Sequence, residues 1–241
     1  MDRAAWNELA EDFEELVCDV VSDETNDQLR RFVGAARPVP KEPVLVDLGC
    51  GIGSFILRFG GRFKGIVAVE FAARAIAQAK ERCAAVAGIE WLTMDVARAA
   101  KRIGPRADLT VCLNVITSVS AAVRKAQWLS LATVTKPAGF ALIVVPSLES
   151  EEMVQNHIRR GVKGVKSTTS IDGVVDADGK QQKYYRRDEL ISLVSGQGFQ
   201  VKRVGRVVSP WSREGLDRPR SGNDKGPWDW ILLAQRLPSV G

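Results

Sequence analysis

The sequence has few of the side chains that most often carry chemistry, with one histidine, two tyrosines and four cysteines among 241 residues. The cysteines, at positions 18, 50, 83 and 112, have neither a paired framework nor the close spacing of metal ligands. We therefore interpret them as reduced thiols of a cytoplasmic protein and expect no metal centre. No apolar run is long enough to cross a bilayer, and the acidic N-terminus lacks a basic leader. We expect neither a membrane anchor nor a signal peptide.

Charge is unevenly distributed along the chain. The net charge is +5, yet residues 1–43 carry more acidic than basic side chains, and the rest of the chain is basic. No basic stretch is dense or interleaved with aromatic residues, which is the pattern expected of a nucleic-acid-binding surface. We interpret the acidic stretch as a solvated helix face, and nucleic acid is not the expected partner.

Helical periodicity predicts two amphipathic helices in residues 1–36. Apolar residues recur three or four positions apart through residues 6–20, and again after the sequence SDETND, whose polar residues can cap a second helix. The stripe of the first helix consists of Trp6, Leu9, Phe13 and Leu16. We predict that residues 1–36 form a helical arm, which either closes over the main domain as a lid or packs on its sheet as a structural helix. Residues 37–241 are long enough for one domain with a full core.

From residue 44 onward, short apolar runs alternate with helical stretches. Continuously apolar strands joined by helices predict an α/β fold, with a parallel sheet covered on both faces. Residues 147–183 break the pattern, since they are polar and contain a hairpin-like stretch near their end. We interpret them as an insertion after the fifth strand, followed by a helix and two last strands. The seven predicted strands are 44–48, 65–70, 89–95, 107–115, 140–146, 199–208 and 228–237.

The stretch VLVDLGCGIGSF, residues 44–55, is a buried strand followed by a glycine-rich turn. Gly49, Gly51 and Gly53 let the backbone approach a ligand without side chains in the way, at the strand end where doubly wound sheets bind ligands. A dinucleotide site would need a glycine at position 54, where the chain has Ser54. The acid Asp47 is also unusual in the first strand of such a site.

This stretch closely resembles the first motif of class I S-adenosylmethionine (SAM) dependent methyltransferases, an acid-x-Gly-x-Gly-x-Gly loop. The resemblance covers about residues 43–146 and 184–236. It implies a Rossmann-like, doubly wound, seven-stranded, mostly parallel sheet with an antiparallel last strand, and SAM as the cofactor. The cofactor-binding residues that it implies are Asp47, Gly49, Cys50, Gly51, Gly53, Glu70, Phe71, Met94, Asp95, Val96 and Asn114.

By this resemblance each strand end holds one part of SAM. Glu70 would accept hydrogen bonds from the ribose hydroxyls, and we expect it to lie outside the core because it ends a strand. Asp95 would accept from the adenine amino group, with Met94 and Val96 beside the ring. Asn114 would lie under the methionine part, whose ammonium Asp47 would orient. The alternatives are that Asp47 caps the next helix, that Glu70 is a surface acid and that Asp95 caps the helix after it.

The methyl acceptor is inferred mainly from what the sequence lacks. It has no Pro-Pro-aromatic run of amino-group nucleobase enzymes, no catalytic cysteine at Ser147, no acids at the metal positions of catechol-type enzymes and no paired glutamates of arginine methyltransferases. We therefore expect a small-molecule acceptor, with an RNA or protein methyltransferase and a non-catalytic SAM-binding regulator as the alternatives. His157 is a candidate base and Tyr184 a candidate pocket residue, although ordinary packing explains either one.

Overall fold

The computed structural model describes residues 19–36, 40–159, 163–219 and 226–238. The predicted first helix, with its stripe of Trp6, Leu9, Phe13 and Leu16, lies outside the described residues, so its role as a lid stays a prediction. None of the helices within the described ranges is both long and apolar enough to span a membrane.

One sheet of seven strands forms the centre of the molecule. Five strands, β1 to β5, are Val44–Leu48, Gly65–Glu70, Ile89–Thr93, Ala107–Leu113 and Thr135–Pro146, and two later ones, β9 and β10, are Phe199–Val208 and Trp228–Arg236. Their order is β3-β2-β1-β4-β5-β10-β9. The first five pair in parallel, and β10 pairs antiparallel to both β5 and β9. The predicted fold, including its antiparallel last strand, is confirmed.

Helices cover both faces of the sheet. The eight described helices, α1 to α8, are Val20–Asp23, Gln28–Ala35, Ser54–Phe59, Ala73–Arg82, Ala99–Ile103, Ala121–Val134, Leu148–Arg159 and Arg187–Gly196. Successive strand residues point to opposite faces, so continuously apolar strands build two cores. One core lies against α2, α3 and α4, and the other lies against α5, α6 and α8.

Three predicted strand boundaries differ from the structure. β3 and β4 each end two residues earlier than predicted, because the polar residues Asp95 and Asn114 lie in the turns that follow. β5 begins five residues earlier, at Thr135, and contains an irregularity where β4 residues 107 and 109 pair with 135 and 140. The turn predicted at residues 136–139 is this irregularity, with Ala138 in a left-handed conformation at φ +64°.

The second N-terminal helix is present as predicted and packs on the sheet. Leu29 and Phe32 of α2 are fully buried, and Thr25 donates its backbone N–H to the Val208 carbonyl of β9 at 2.8 Å. The interpretation of the acidic stretch as a solvated face is wrong for two of its described acids. The carboxylate of Glu24 is almost fully buried against Arg58 at 2.8 Å, and that of Asp23 is buried against Arg213.

Residues 147–183 contain α7 and a separate antiparallel sheet. Strands β6, β7 and β8 are Ser167–Thr169, Val174–Ala177 and Lys180–Lys183, and β7 and β8 form the predicted hairpin. The insertion is anchored where it rejoins the main chain. The Tyr185 hydroxyl donates to the Ile116 carbonyl at 2.6 Å, and buried Lys183 forms an ion pair with Glu189 of α8 at 2.6 Å.

Candidate functional site

The predicted site residues of β1, β2 and β4 come together at one edge of the sheet. β1 lies between β2 and β4, so the connections leave it in opposite directions, and a doubly wound sheet binds ligands in the crevice that this reversal opens. The loop after β1 lies here. Gly49 and Cys50 donate their backbone N–H groups to the Val69 carbonyl at 2.7 and 2.9 Å, which ties the loop to β2.

The loop requires glycine for its backbone conformation and for its packing. The φ angles are +79° at Gly49, +51° at Gly51 and +82° at Gly53. A Cβ atom on Gly49 would meet Cγ2 of Val115 at 2.2 Å, and one on Gly53 would meet Sγ of Cys83 at 2.8 Å. The loop therefore presents bare backbone at the sheet edge, as a ligand that needs close approach requires.

Glu70 holds this loop from the end of β2. Its Oε1 accepts the backbone N–H groups of Phe71 and Ala72 at 2.8 and 2.9 Å, and its Oε2 accepts that of Gly51 at 3.2 Å. The residue is 7% exposed, so the expectation that it lies outside the core, and its alternative as a surface acid, are wrong. Three backbone donors at this buried position need an acceptor. Burial raises the Glu70 pKa, although these N–H groups act to lower it.

Asp47 is a buried carboxyl group with an unpartnered oxygen. It is 2% exposed, and its Oδ2 has no hydrogen-bond partner among the described residues. Burial raises the pKa of Asp47 to about 8, and the negative charges of Glu70 and Asp19 add to this effect. Helix α3 begins after Gly53 with no side-chain cap, so the alternative role of Asp47 as its cap is wrong. The group that would balance Asp47 is a cation, because buried charges are stable only when paired.

Asp95 follows β3, between Met94 and Val96. Its Oδ1 accepts the Ala97 N–H at 2.8 Å and caps the 3₁₀ turn Val96–Arg98, so the capping alternative is confirmed. The bond occupies one of the two carboxylate oxygens and leaves the other for the predicted adenine contact. The Met94 N–H donates to the Glu70 carbonyl at 2.9 Å, which places this turn beside the end of β2.

Asn114 follows β4 and pairs with an acid that reasoning from the sequence missed. Its φ is +54°, and its Nδ2 donates to Oδ2 of Asp229, near the start of β10, at 2.7 Å. Its Oδ1 is buried without a partner within the described part of the chain. The available signal for Asp229 was its position between Trp228 and Trp230 in an apolar strand, where a carboxylate needs a polar partner.

Cys50 and Phe71 contribute through their backbones. The Cys50 side chain is buried, and burial first, then the charge of Asp47, raises the pKa of its thiol. A protonated thiol is a poor nucleophile, so Cys50 has no reactive role here. Phe71 donates its N–H to Glu70 and leaves its ring partly exposed beside the loop.

Tyr184 lies on the opposite side of its segment from the buried Tyr185. Successive residues of an extended segment point in opposite directions, so Tyr184 faces away from the core, towards acidic neighbours. Burial raises the pKa of the Tyr184 phenol, and the charges of Glu151 and Asp229 raise it further. The phenol therefore stays protonated, so it can donate a hydrogen bond but cannot take a proton.

His157 lies in a different environment. Its ring is 5.2 Å from that of Trp211, centroid to centroid, beside the apolar cluster that Trp211 forms with Val154, Ile158 and Leu216. In the described ranges, no hydrogen bond joins His157 to the strand ends. These contacts are those of a packing residue.

Comparison with known proteins agrees with this geometry. A protein-family model described as a methyltransferase domain matches residues 45–139, while no curated protein sequence matches the chain. The structure of 1,6-didemethyltoxoflavin-N1-methyltransferase from Burkholderia thailandensis, with S-adenosylhomocysteine bound, superposes with a TM-score of 0.66 at 14% identity, covering 98% of this chain and 87% of that one. A SAM-dependent methyltransferase from Clostridium acetobutylicum ATCC 824 gives 0.65 at 13% identity, covering 97% and 99%. Magnesium protoporphyrin IX methyltransferase from Synechocystis PCC 6803 gives 0.63 at 16% identity, covering 97% of both chains. At these identities the likeness shows the fold.

Proposed function

Since the chain carries a methyltransferase domain on the fold of the class I enzymes, as its resemblance predicted, we propose that it is a SAM-dependent methyltransferase with a small-molecule acceptor. The observation that carries the proposal is the buried, unpartnered Oδ2 of Asp47 beneath a loop whose glycines admit no side chain. SAM is a cation with an ammonium group at one end, so its charge would balance this carboxylate.

The remaining strand-end groups fit the other parts of SAM. Glu70 Oε2 accepts one backbone bond, and a carboxylate oxygen can accept two, so it can also bind a ribose hydroxyl. Asp95 keeps one oxygen for the adenine amino group, with Met94 and Val96 beside the ring. Asn114 lies where the methionine end would be. These assignments rest on the resemblance together with the acceptors that the structure leaves free.

The chain's own contribution to catalysis would be alignment and exclusion of water. SAM supplies an electrophilic methyl group on its sulfonium, so no catalytic side chain is obligatory. Tyr184, as a neutral phenol, would orient the acceptor by donating a hydrogen bond. Neither Tyr184 nor His157 is placed to be a general base, and an acceptor that needs deprotonation would require another group.

Acidic side chains near Tyr184 favour a small acceptor over RNA. Burial raises the pKa of Glu214 to about 7, and the charges of Glu151 and Asp229 contribute, so these carboxylates lie within electrostatic range of one another. A polyanion would be repelled from such a surface, since nucleic-acid binding depends on basic contacts to phosphates. Transfer to a protein acceptor and SAM binding without turnover give different outcomes in a labelling experiment with SAM.

The predicted organisation is part of the proposal. Residues 1–36 would form an arm whose first part closes the site, and residues 37–241 the methyltransferase domain, with 147–183 as a cap. Deleting residues 1–18 retains Asp19, whose side chain caps α1. We expect this variant to fold and to bind SAM more weakly, and to lose methyl transfer. Normal turnover would show that the arm is not a lid. A cytoplasmic location, inferred from the scattered cysteines, is to be checked by cell fractionation.

Two experiments test the function. Calorimetry should show SAM and S-adenosylhomocysteine binding while NAD does not, and binding of NAD without SAM would overturn the cofactor assignment. Labelled SAM is then incubated with the protein and fractionated extract. We expect label in the small-molecule fraction, whereas label in RNA or protein would favour a macromolecular acceptor. SAM binding without transfer to any fraction would favour the regulatory role.

A further inference from the structure

Asp229 determines which way the Asn114 amide faces. A carboxylate can only accept hydrogen bonds, so the amide nitrogen has to lie on the Asp229 side, where Nδ2 and Oδ2 are 2.7 Å apart. The amide oxygen is thereby directed away from Asp229, and it is buried without a partner among the residues described. A buried carbonyl oxygen without a donor is costly, at about 1–3 kcal/mol, so a ligand donor is the natural partner.

The backbone brings this oxygen to the candidate cofactor site. Asn114 precedes Val115, whose side chain fills the space beside Gly49, and its N–H is held by the Val144 carbonyl at 2.9 Å. Asp47, on the neighbouring strand β1, has the other unpartnered buried oxygen of this region. Two acceptors at adjacent strand ends match a group with several N–H donors.

We propose that Asp229 is a positioning residue, which holds the Asn114 amide with its oxygen directed at the ammonium group of the bound cofactor. The proposal rests on the proposed function, since it takes SAM as the ligand. Asp229 would not touch the ligand itself. Its role is to prevent the amide from turning its NH₂ group towards a cation.

Protonation of Asp229 would remove this control. Burial raises the Asp229 pKa to about 6, while the hydrogen bond from Asn114 lowers it. The other groups that act in this neighbourhood are Glu214, Glu151 and Tyr184. Below about pH 6 the neutral carboxyl group has an O–H of its own, so it accepts either orientation of the amide. Affinity for an ammonium-bearing ligand should then fall.

The test compares two ligands that share the nucleoside. S-adenosylhomocysteine carries the amino-acid end with its ammonium group, and 5′-methylthioadenosine lacks it. In Asp229→Asn, we expect S-adenosylhomocysteine to bind about tenfold more weakly by calorimetry at pH 7.5, and methylthioadenosine to bind as in the unmodified protein. The loss of affinity below pH 6 should also disappear in this variant. Glu152→Gln, an exposed carboxylate-to-amide change, is the control and should alter neither ligand.

A double-mutant cycle separates positioning from a general structural effect. Asn114→Gly removes the amide at a position whose positive φ glycine tolerates. Because Asp229 acts through Asn114, adding Asp229→Asn to this variant should cause no further loss. Equal weakening of both ligands by Asp229→Asn, unchanged affinity for S-adenosylhomocysteine, or an additive loss in the double variant would each overturn the proposal. Failure of the unmodified protein to bind S-adenosylhomocysteine would instead refute the proposed function and this inference with it.

Discussion

Replacing Glu70 with alanine tests whether one carboxylate holds the glycine loop as well as the ligand. The change leaves the N–H groups of Gly51, Phe71 and Ala72 without their acceptor, and each buried unpaired donor costs about 1–3 kcal/mol. Removing a carboxylate whose pKa is raised by burial also removes an unfavourable desolvation, so we take the lower bound. The expected loss is roughly 3 kcal/mol, or about 6–12 °C in melting temperature for a domain of this size. Denaturant unfolding that matches the unmodified protein would refute this reasoning.

Glu70→Gln separates the ligand role from the loop role. Glutamine keeps one acceptor oxygen and the side-chain shape, so we expect the variant to fold, with SAM bound at least about 1.5 kcal/mol more weakly because a charged acceptor is lost. The control is Glu42→Gln, whose side chain is 71% exposed and 3.9 Å from Lys64. It should change stability by less than about 0.5 kcal/mol. Unchanged SAM affinity in folded Glu70→Gln would place the ribose elsewhere.

Two further predictions concern the floor of the site. Asp47 has a folded-state pKa of about 8 against an ordinary value of 3.8, so the ligand-free protein should lose stability as pH rises between these values, and Asp47→Asn should abolish that loss. At pH 7, calorimetry in buffers of different ionisation enthalpy should show proton release on SAM binding by the unmodified protein and none by Asp47→Asn. Gly49→Ala should destabilise the fold and abolish SAM binding, because its Cβ would overlap Val115. Gly34→Ala, on the exposed face of α2 with open space around it, should instead stabilise by about 0.5–1 kcal/mol.

The parts of the site that were predictable are those in which chemistry and sequence position coincide. Asp47 and Glu70 end or nearly end continuous apolar strands, and parallel strands bring such ends to one edge. The glycine loop could be recognised because it follows a strand directly. The backbone bonds of Glu70 were not predictable, since they depend on how the loop folds back over β2.

Asp229 shows a second limit of sequence reasoning. It is separated from Asn114 by 115 positions, and the two residues meet only because β10 runs antiparallel between β5 and β9. Strand order of this kind follows from the fold as a whole and from no local pattern. A carboxylate in an apolar strand indicates that some partner exists, but it does not indicate which residue that is.

The charge asymmetry of the chain shows why composition alone misled. The acidic N-terminal stretch and the basic body were interpreted as separate solvated surfaces, yet Glu24 and Asp23 are buried against Arg58 and Arg213. Arg58 also donates to the Val21 carbonyl at 3.0 Å, so it ties α1 to α3, the helix that begins at the end of the glycine loop. A buried ion pair gives specificity of docking more than net stability. The described part of the acidic stretch is therefore fixed beside the loop, and any closing movement of the arm has to arise before residue 19.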